Sequence, residues 1–320
     1  MRFKIASTGF HVPEHVQTAA DLSPLIGRSE EWILSRTGVA ERRIADEPMS
    51  VMGAKAAMDA IGSGAPPDLI INASLTPMQL IPDSSVFIQK ELGYNGIPSF
   101  SIHATCMSFL VGMHTAGALI HSGAYKRVLV VSAEQGSVSR DMEHPESAAL
   151  IGDGAAAAII IPTPEGEQSE LLAFGQSTWP EGSDLAEFRG AGTRRHPNNP
   201  ETVHADNVFR MRGPRIFKMT VPKVYELITG LMDQAHMCPE SVDVVIPHQA
   251  SMRGVMAMDR LGFSEDQVVN IVGNYGNTIA ASIPMAMAHA DRTGRLKRGD
   301  TVVVVGMGAG LHVAGAVLRW

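Results

Sequence analysis

The sequence predicts an α/β protein built from two similar halves, and three observations carry that prediction. Apolar runs without polar alternation, VLVV at 128–131 and TVVVV at 301–305, have the pattern of central strands covered on both faces. Glycine is frequent, 31 in 320 residues, and much of it punctuates those runs, as tight strand-to-helix turns require. The order of elements in the first half then recurs in the second.

In the first half, Asp68 to Ala73 (DLIINA) has a buried-strand pattern, followed by a loop and a helical stretch ending near Leu92-Gly93. A strand over Phe100 to Ala104 leads to Cys106, and a helix of apolar and small residues runs through Ser122-Gly123 to the closing segment AYKRVLVVSAEQG. In the second half, Asp243 to Ile246 (DVVI) leads into PHQA, and a helix ends near Leu261-Gly262. A strand over Val268 to Val272 precedes GNYGNTIAAS, a small-residue helix runs to Thr293-Gly294, and RLKRGDTVVVVGMGAG closes the half. The boundary falls after Ile161, at PTPEGEQ, giving halves of residues 1–163 and 164–320. Stacked, the two halves enclose their small-residue helices between the sheets.

Composition excludes several classes of function. The net charge is −7 and no block of Lys and Arg dominates, which argues against a nucleic-acid partner. No apolar run is long enough to span a bilayer, and the opening MRFKIASTGFHVPE lacks the apolar core of a signal peptide, so a cytoplasmic location is expected. Two cysteines, Cys106 and Cys238, form neither a disulfide framework nor a CxxC-type zinc site. The HxxC spacing of His103 and Cys106 is set aside as a metal pair because alternation on a strand separates them, and His103 is expected to pack at the strand end. No metal or resident cofactor is expected.

Three residues could carry chemistry. A free cysteine is most often a small buried hydrophobe, but Cys106 stands at a strand-to-helix bend in SIHATCMSFLVGMHTAG, where amide N–H groups and the helix dipole favour thiolate. His248, in VVIPHQAS, sits at the carboxyl end of a central strand, where α/β sheets place ligands; a lone histidine there is otherwise structural. Asn277, in NYGNTIAAS, reads as a helix cap or as a fixed donor for developing negative charge. The repeat puts Cys106 and Asn277 at comparable positions, each at the start of a buried helix. GMGAG (306–310) is no dinucleotide fingerprint, and GDGAAAAII (152–160) is too short for a phosphate loop.

Together with RSEEWILSRTGVAERRIA, PHQAS, GNYGNTIAASIP, GDGAAAA and GLHVAGAVLRW, these residues resemble the β-ketoacyl-acyl carrier protein synthase III family of the thiolase superfamily, over essentially the whole chain. The resemblance implies a five-layered αβαβα fold, a homodimer and a Cys106–His248–Asn277 triad. It implies that Cys106 takes an acyl group from an acyl-CoA, which is substrate and not cofactor. A malonyl thioester, on acyl carrier protein or CoA, then condenses with loss of carbon dioxide. Backbone N–H groups of Cys106 and Ala309 would form the oxyanion hole. Trp32 and Arg36 would contact the CoA nucleotide, while Gly213, Phe217, Ala250 and Ser251 would line the pantetheine tunnel. Arg215, Lys218, Arg253 and Arg260 would form a basic patch for carrier protein, and Ile81 would close a partner subunit's acyl pocket.

The chain departs from the family pattern in places. His103, Ala104 and Thr105 precede the nucleophile where small residues are usual; the glycine-rich turn reads GAG; Ser251 stands where asparagine is common; and a CoA-facing arginine is absent near HPESAALIGDG. Alternatives are therefore a specialised-pathway relative using another acyl acceptor, a thioester hydrolase, and a catalytically inert acyl-CoA-binding module.

Overall fold

The runs at 128–131 and 301–305 become the central strands of two sheets, and everything else is arranged around them. The computed structural model describes residues 1–320. The first half contains β1 (Lys4–His11), β2 (Val16–Thr18), α1 (Ala19–Ile26), α2 (Glu30–Thr37), β3 (Glu41–Arg43), α3 (Met49–Ile61), β4 (Leu69–Asn72), α4 (Ser84–Glu91), β5 (Ser99–Ser101), α5 (Ser108–His121), β6 (Val128–Glu134), α6 (Pro145–Ala148) and β7 (Gly154–Ile161). The second contains β8 (Glu170–Thr178), β9 (Ala186–Glu187), β10 (Arg210–Met211), α7 (Gly213–Ala235), β11 (Val244–Pro247), α8 (Met252–Met256), α9 (Val272–Tyr275), α10 (Ser282–Arg292), β12 (Thr301–Gly308) and β13 (His312–Arg319).

The sheets have the orders β1-β7-β6-β4-β5 and β11-β12-β13-β8. In each, the central strand has a parallel neighbour (β4 beside β6, β11 beside β12) and an antiparallel one (β7, β13). The inner faces meet across α5 and α10 in one apolar cluster, with Val128, Val130, Val302 and Val304 packed against Met113, Ala116, Ile283 and Met287. The outer face of the first sheet, including Leu129 and Val131, is covered by α3 and α4. The outer face of the second, including Val303 and Val305, is covered by α7. Each fully buried Val, Leu or Ile contributes about 1.5–3 kcal/mol, which is why a strand apolar on both faces sits where it does. The result is the five-layered αβαβα, thiolase-like fold that the resemblance implied.

Two local expectations are corrected. Residues near Val268 make only an isolated bridge to Val245 instead of a strand, and Val272–Tyr275 is helical. α10 begins at Ser282, so Asn277 stands five positions ahead of it, in the turn leading to a short 3₁₀ segment at Ile279–Ala281.

Candidate active site

Cys106 lies between β5 and α5, two residues before the helix begins, and is partly buried. The helix start was expected to lower its pKa. The opposite holds: burial, helped by the charge of Glu134, pushes the thiol up to about 12, against the pull of the N–H groups of Ala309 and of Cys106 itself. Desolvation wins because both N–H groups are dipoles while the thiolate would carry a full charge away from water. Neither N–H donates to any other protein group.

His248 follows β11, and its own N–H is held by the carbonyl of Val305 at 2.8 Å. Its ring is buried, which lowers its pKa to about 4, so it is neutral at physiological pH. The Nδ1 atom lies 2.5 Å from Ser282 Oγ, and that oxygen also accepts the Gln249 N–H at 3.3 Å. Nδ1 is the only acceptor among the partners of Ser282 Oγ, so the hydroxyl proton is assigned to that bond, which leaves the hydrogen on Nε2 as a donor. Ser282 was not singled out in the sequence: its link to His248 spans 34 residues and no local pattern signals it.

Asn277 is clamped between the halves. Its N–H donates to Leu150 at 2.8 Å and its carbonyl accepts from Gly152 at 3.1 Å. Its side-chain Oδ1 accepts the Ile279 N–H at 2.9 Å, so Nδ2 is the group left to donate. GDGAAAA thus does more than turn into β7: it holds Asn277, and Asp153 within it accepts Ala45 N–H and both Ser137 donors.

The end of β12 and the turn after it join these pieces. A Cβ at Gly306 would lie 2.7 Å from His248 Cβ and 2.6 Å from Met107, a position only glycine can fill. Two residues on, Gly308 lies against Cys106 N, and Ala309 N–H faces the Cys106 sulfur. On the other side is Glu134, wholly buried at the end of β6. It accepts the N–H groups of Leu75 (2.5 Å) and Thr76 (3.2 Å) and is lowered by a hydrogen bond from Ala280, in the Asn277 turn. Its signal in the sequence was a lone carboxylate ending an otherwise uncharged strand.

Burial raises Glu134 to about 8 from an ordinary 4.5. A carboxyl with a raised folded-state pKa contributes stability that is complete below about pH 4.5 and is lost as pH rises through about 8. Glu134→Gln mimics the protonated form. Between pH 5 and 9 the wild type should therefore lose stability relative to the variant, on the order of 4 kcal/mol. Urea midpoints measured across that range would show it; parallel curves would refute it.

A cavity of about 580 Å³ is lined by Arg36, Phe217, Arg253, Asp259 and Arg260 with the end of α2 and α8. A second, of about 100 Å³, shares Phe217 and Arg260 and runs to Ala250, His248, Gly306 and Met307. Gly213 and Ser251 line neither; Ser251 instead caps α8, accepting the Gly254 N–H at 3.3 Å. Trp32 is half-buried, with Arg28 5.6 Å from its ring centre. Arg215 and Lys218 are exposed on the first turns of α7, beside Phe217. Ile81 is 85% exposed in the loop before α4. His103 is exposed rather than packed at the strand end, and Cys238 is also exposed, away from this chemistry.

Comparison with known proteins identifies the family. Residues 100–179 match the family described as 3-oxoacyl-[acyl-carrier-protein] synthase III, and residues 232–320 match its C-terminal part. The β-ketoacyl-[acyl-carrier-protein] synthase III of Aquifex aeolicus is 36% identical over all of both chains. That of Desulfitobacterium hafniense is 37% identical over 99% of this chain and 97% of its own. The crystal structure of the Aquifex aeolicus 3-oxoacyl-[acyl-carrier-protein] synthase III superposes with a TM-score of 0.90, covering 99% of this chain and all of that one. Full-length relatedness, the five-layered fold and the residues gathered around Cys106 lead to one conclusion: this chain belongs to the β-ketoacyl-acyl carrier protein synthase III family of condensing acyltransferases.

Proposed function

We propose that this chain extends an acyl group by decarboxylative Claisen condensation, in two half-reactions on Cys106. First the Cys106 sulfur attacks the carbonyl of an acyl-CoA thioester. The new S–C bond forms as the bond to the CoA sulfur breaks, and the cysteine proton passes to the departing CoA thiolate. The unpaired N–H groups of Cys106 and Ala309 stabilise the oxyanion formed on the way. Next, a malonyl group carried by acyl carrier protein loses carbon dioxide. The electron pair of the broken C–C bond becomes an enolate that accepts hydrogen bonds from His248 Nε2–H and Asn277 Nδ2. Its carbon attacks the acyl-cysteine carbonyl, the C–S bond breaks, and the Cys106 thiolate released takes up a proton from solvent. Side chains and thioester substrates supply all of this chemistry, with coenzyme A as part of a substrate.

The single observation that carries the reading is the pair of partnerless N–H groups facing the Cys106 thiol, with a histidine, held neutral by burial, against the same strand β12 at Gly306. Arg36, Arg253 and Arg260 around the larger cavity suit the phosphates of CoA and, with Arg215 and Lys218, the acidic surface of a carrier protein. Trp32 and Phe217 suit the adenine and pantetheine arm. A homodimer in the cytoplasm completes the proposal. β5 pairs only with β4 and leaves an open edge. There Phe100, Met78, Leu80 and Ile81 are exposed apolar residues suited to a second copy.

The test is to mix the protein with a panel of acyl-CoAs and malonyl carrier protein, and to identify products by mass spectrometry and the particle mass by light scattering. The expected result is a β-ketoacyl carrier protein two carbons longer than the acyl donor, from a particle of two chains. Free fatty acid as sole product, or acyl transfer without carbon dioxide release, would overturn the proposal; a monomer would overturn its dimer part.

A further inference from the structure

We propose that Thr105 is a positioning residue that aims the Ala309 N–H at the reacting carbonyl through a hydrogen bond to the other side of the same residue. This rests on the reading that Ala309 N–H is an oxyanion donor. Thr105 occupies the left-handed region, φ +52°, which a β-branched residue seldom adopts without compensation. What the conformation achieves is visible. The Thr105 hydroxyl donates to the carbonyl of Ala309 at 3.1 Å, across 204 residues of sequence and between the two halves of the molecule. That carbonyl accepts from no other protein group. Gly308, between the hydroxyl and the backbone it holds, has no room for a side chain: a Cβ there would overlap Thr105 Oγ1.

The carbonyl and N–H of Ala309 belong to the peptide units flanking one Cα. A residue in a glycine-flanked turn can rotate these units at little energetic penalty. Pinning the carbonyl restricts that rotation and with it the direction of the N–H, whose contact is the Cys106 sulfur. Thr105 is also the immediate neighbour of Cys106, so one side chain sets the separation of the nucleophile from one of its two N–H donors. Alanine or glycine at position 105 could not do this, because neither has a donor. An oxyanion donor acts only when its hydrogen lies where charge develops, so misdirection weakens the transition state more than the ground state.

Three variants test the proposal. Thr105→Val keeps the shape and removes the donor, Thr105→Ser keeps the donor, and Thr105→Ala removes both. Rapid-quench single turnovers with labelled acetyl-CoA give the acylation rate and the substrate concentration at half-saturation. Thr105→Val and Thr105→Ala are expected to acylate about 10–100-fold more slowly with half-saturation nearly unchanged, and Thr105→Ser to return near wild type. Infrared difference spectra with ¹³C-labelled acetyl-enzyme supply a second readout. The carbonyl band should move to higher frequency in Thr105→Val, as it does when a hydrogen bond to the oxygen weakens, and return in Thr105→Ser. Circular dichroism reports folding, and if the valine variant fails to fold, the serine–alanine pair carries the same comparison. Acylation of the variants at the wild-type rate, a change confined to half-saturation, or failure of folded Thr105→Ser to rescue would each overturn the role of Thr105. A wild type that forms no acyl-enzyme at all would instead overturn the function on which it rests.

Discussion

Cys106→Ala is expected to form no acyl-enzyme from labelled acyl-CoA and to lose turnover by at least ~10⁴-fold, the scale of removing a covalent nucleophile. Alanine fits the space, so the fold should stand and unfolding midpoints should change little. The same residue offers a sharper test of how the thiol is activated. With a pKa pushed up to about 12, about one thiol in 10⁴–10⁵ is ionised near pH 7.5. His248, at about 4, cannot hold the proton as a resting imidazolium. The resting state is therefore neutral thiol beside neutral imidazole, and the proton must move as the sulfur attacks, while the oxyanion is being stabilised. Alkylation of Cys106 by iodoacetamide should be slow at pH 6–7 and climb steadily to the highest pH the fold survives. A plateau reached by pH 7 would mean a preformed thiolate–imidazolium pair and would reject this account. Labelling of Cys106→Ala equal to wild type would remove Cys106 from the reaction altogether.

Asn277→Asp should separate the half-reactions more cleanly than truncation can. The two side chains have the same shape, and aspartate retains the oxygen that accepts the Ile279 N–H, so the turn keeps its geometry. What changes is the other arm, where the donor Nδ2 becomes a carboxylate oxygen. Acylation, which uses Cys106 and Ala309, should proceed within a few-fold of wild type. Condensation should fall by about 10³-fold or more, because a hydrogen-bond donor to the enolate is replaced by a like charge. Lowering the pH should restore part of the rate as the new carboxyl takes up a proton and can donate. Single-turnover labelling set against product formation measures both steps. Equal loss in both, or condensation at the wild-type rate at neutral pH, would show that Asn277 does not face the enolate.

Much of the architecture was legible because it is written in short-range patterns. A strand buried on both faces must be apolar at every position, so VLVV and TVVVV identify the two sheet centres without reference to anything distant in the chain. The small residues of α5 and α10 similarly mark helices that must pass between two sheets. Legibility failed at the edges, where context decides. Val268 to Val272 has strand composition, but Val268 makes a single bridge and the residues after it turn into a helix that carries Asn277 toward the first half.

The sequence by itself determined the fold class, the order of the repeated elements and the family, and it singled out Cys106, His248 and Asn277 as chemically capable residues. Only the tertiary structure decided their chemical state. The cysteine's place before a helix argued for thiolate, yet burial and Glu134, a residue from another strand, raise its pKa instead. The hydrogen on His248 Nε2 depends on Ser282, and the carbonyl of Ala309 is held by Thr105. The reason is physical. Strand and helix patterns depend on neighbours a few positions away, whereas a proton's affinity and a dipole's direction depend on every group within several ångströms, and here those groups come from both halves of the chain.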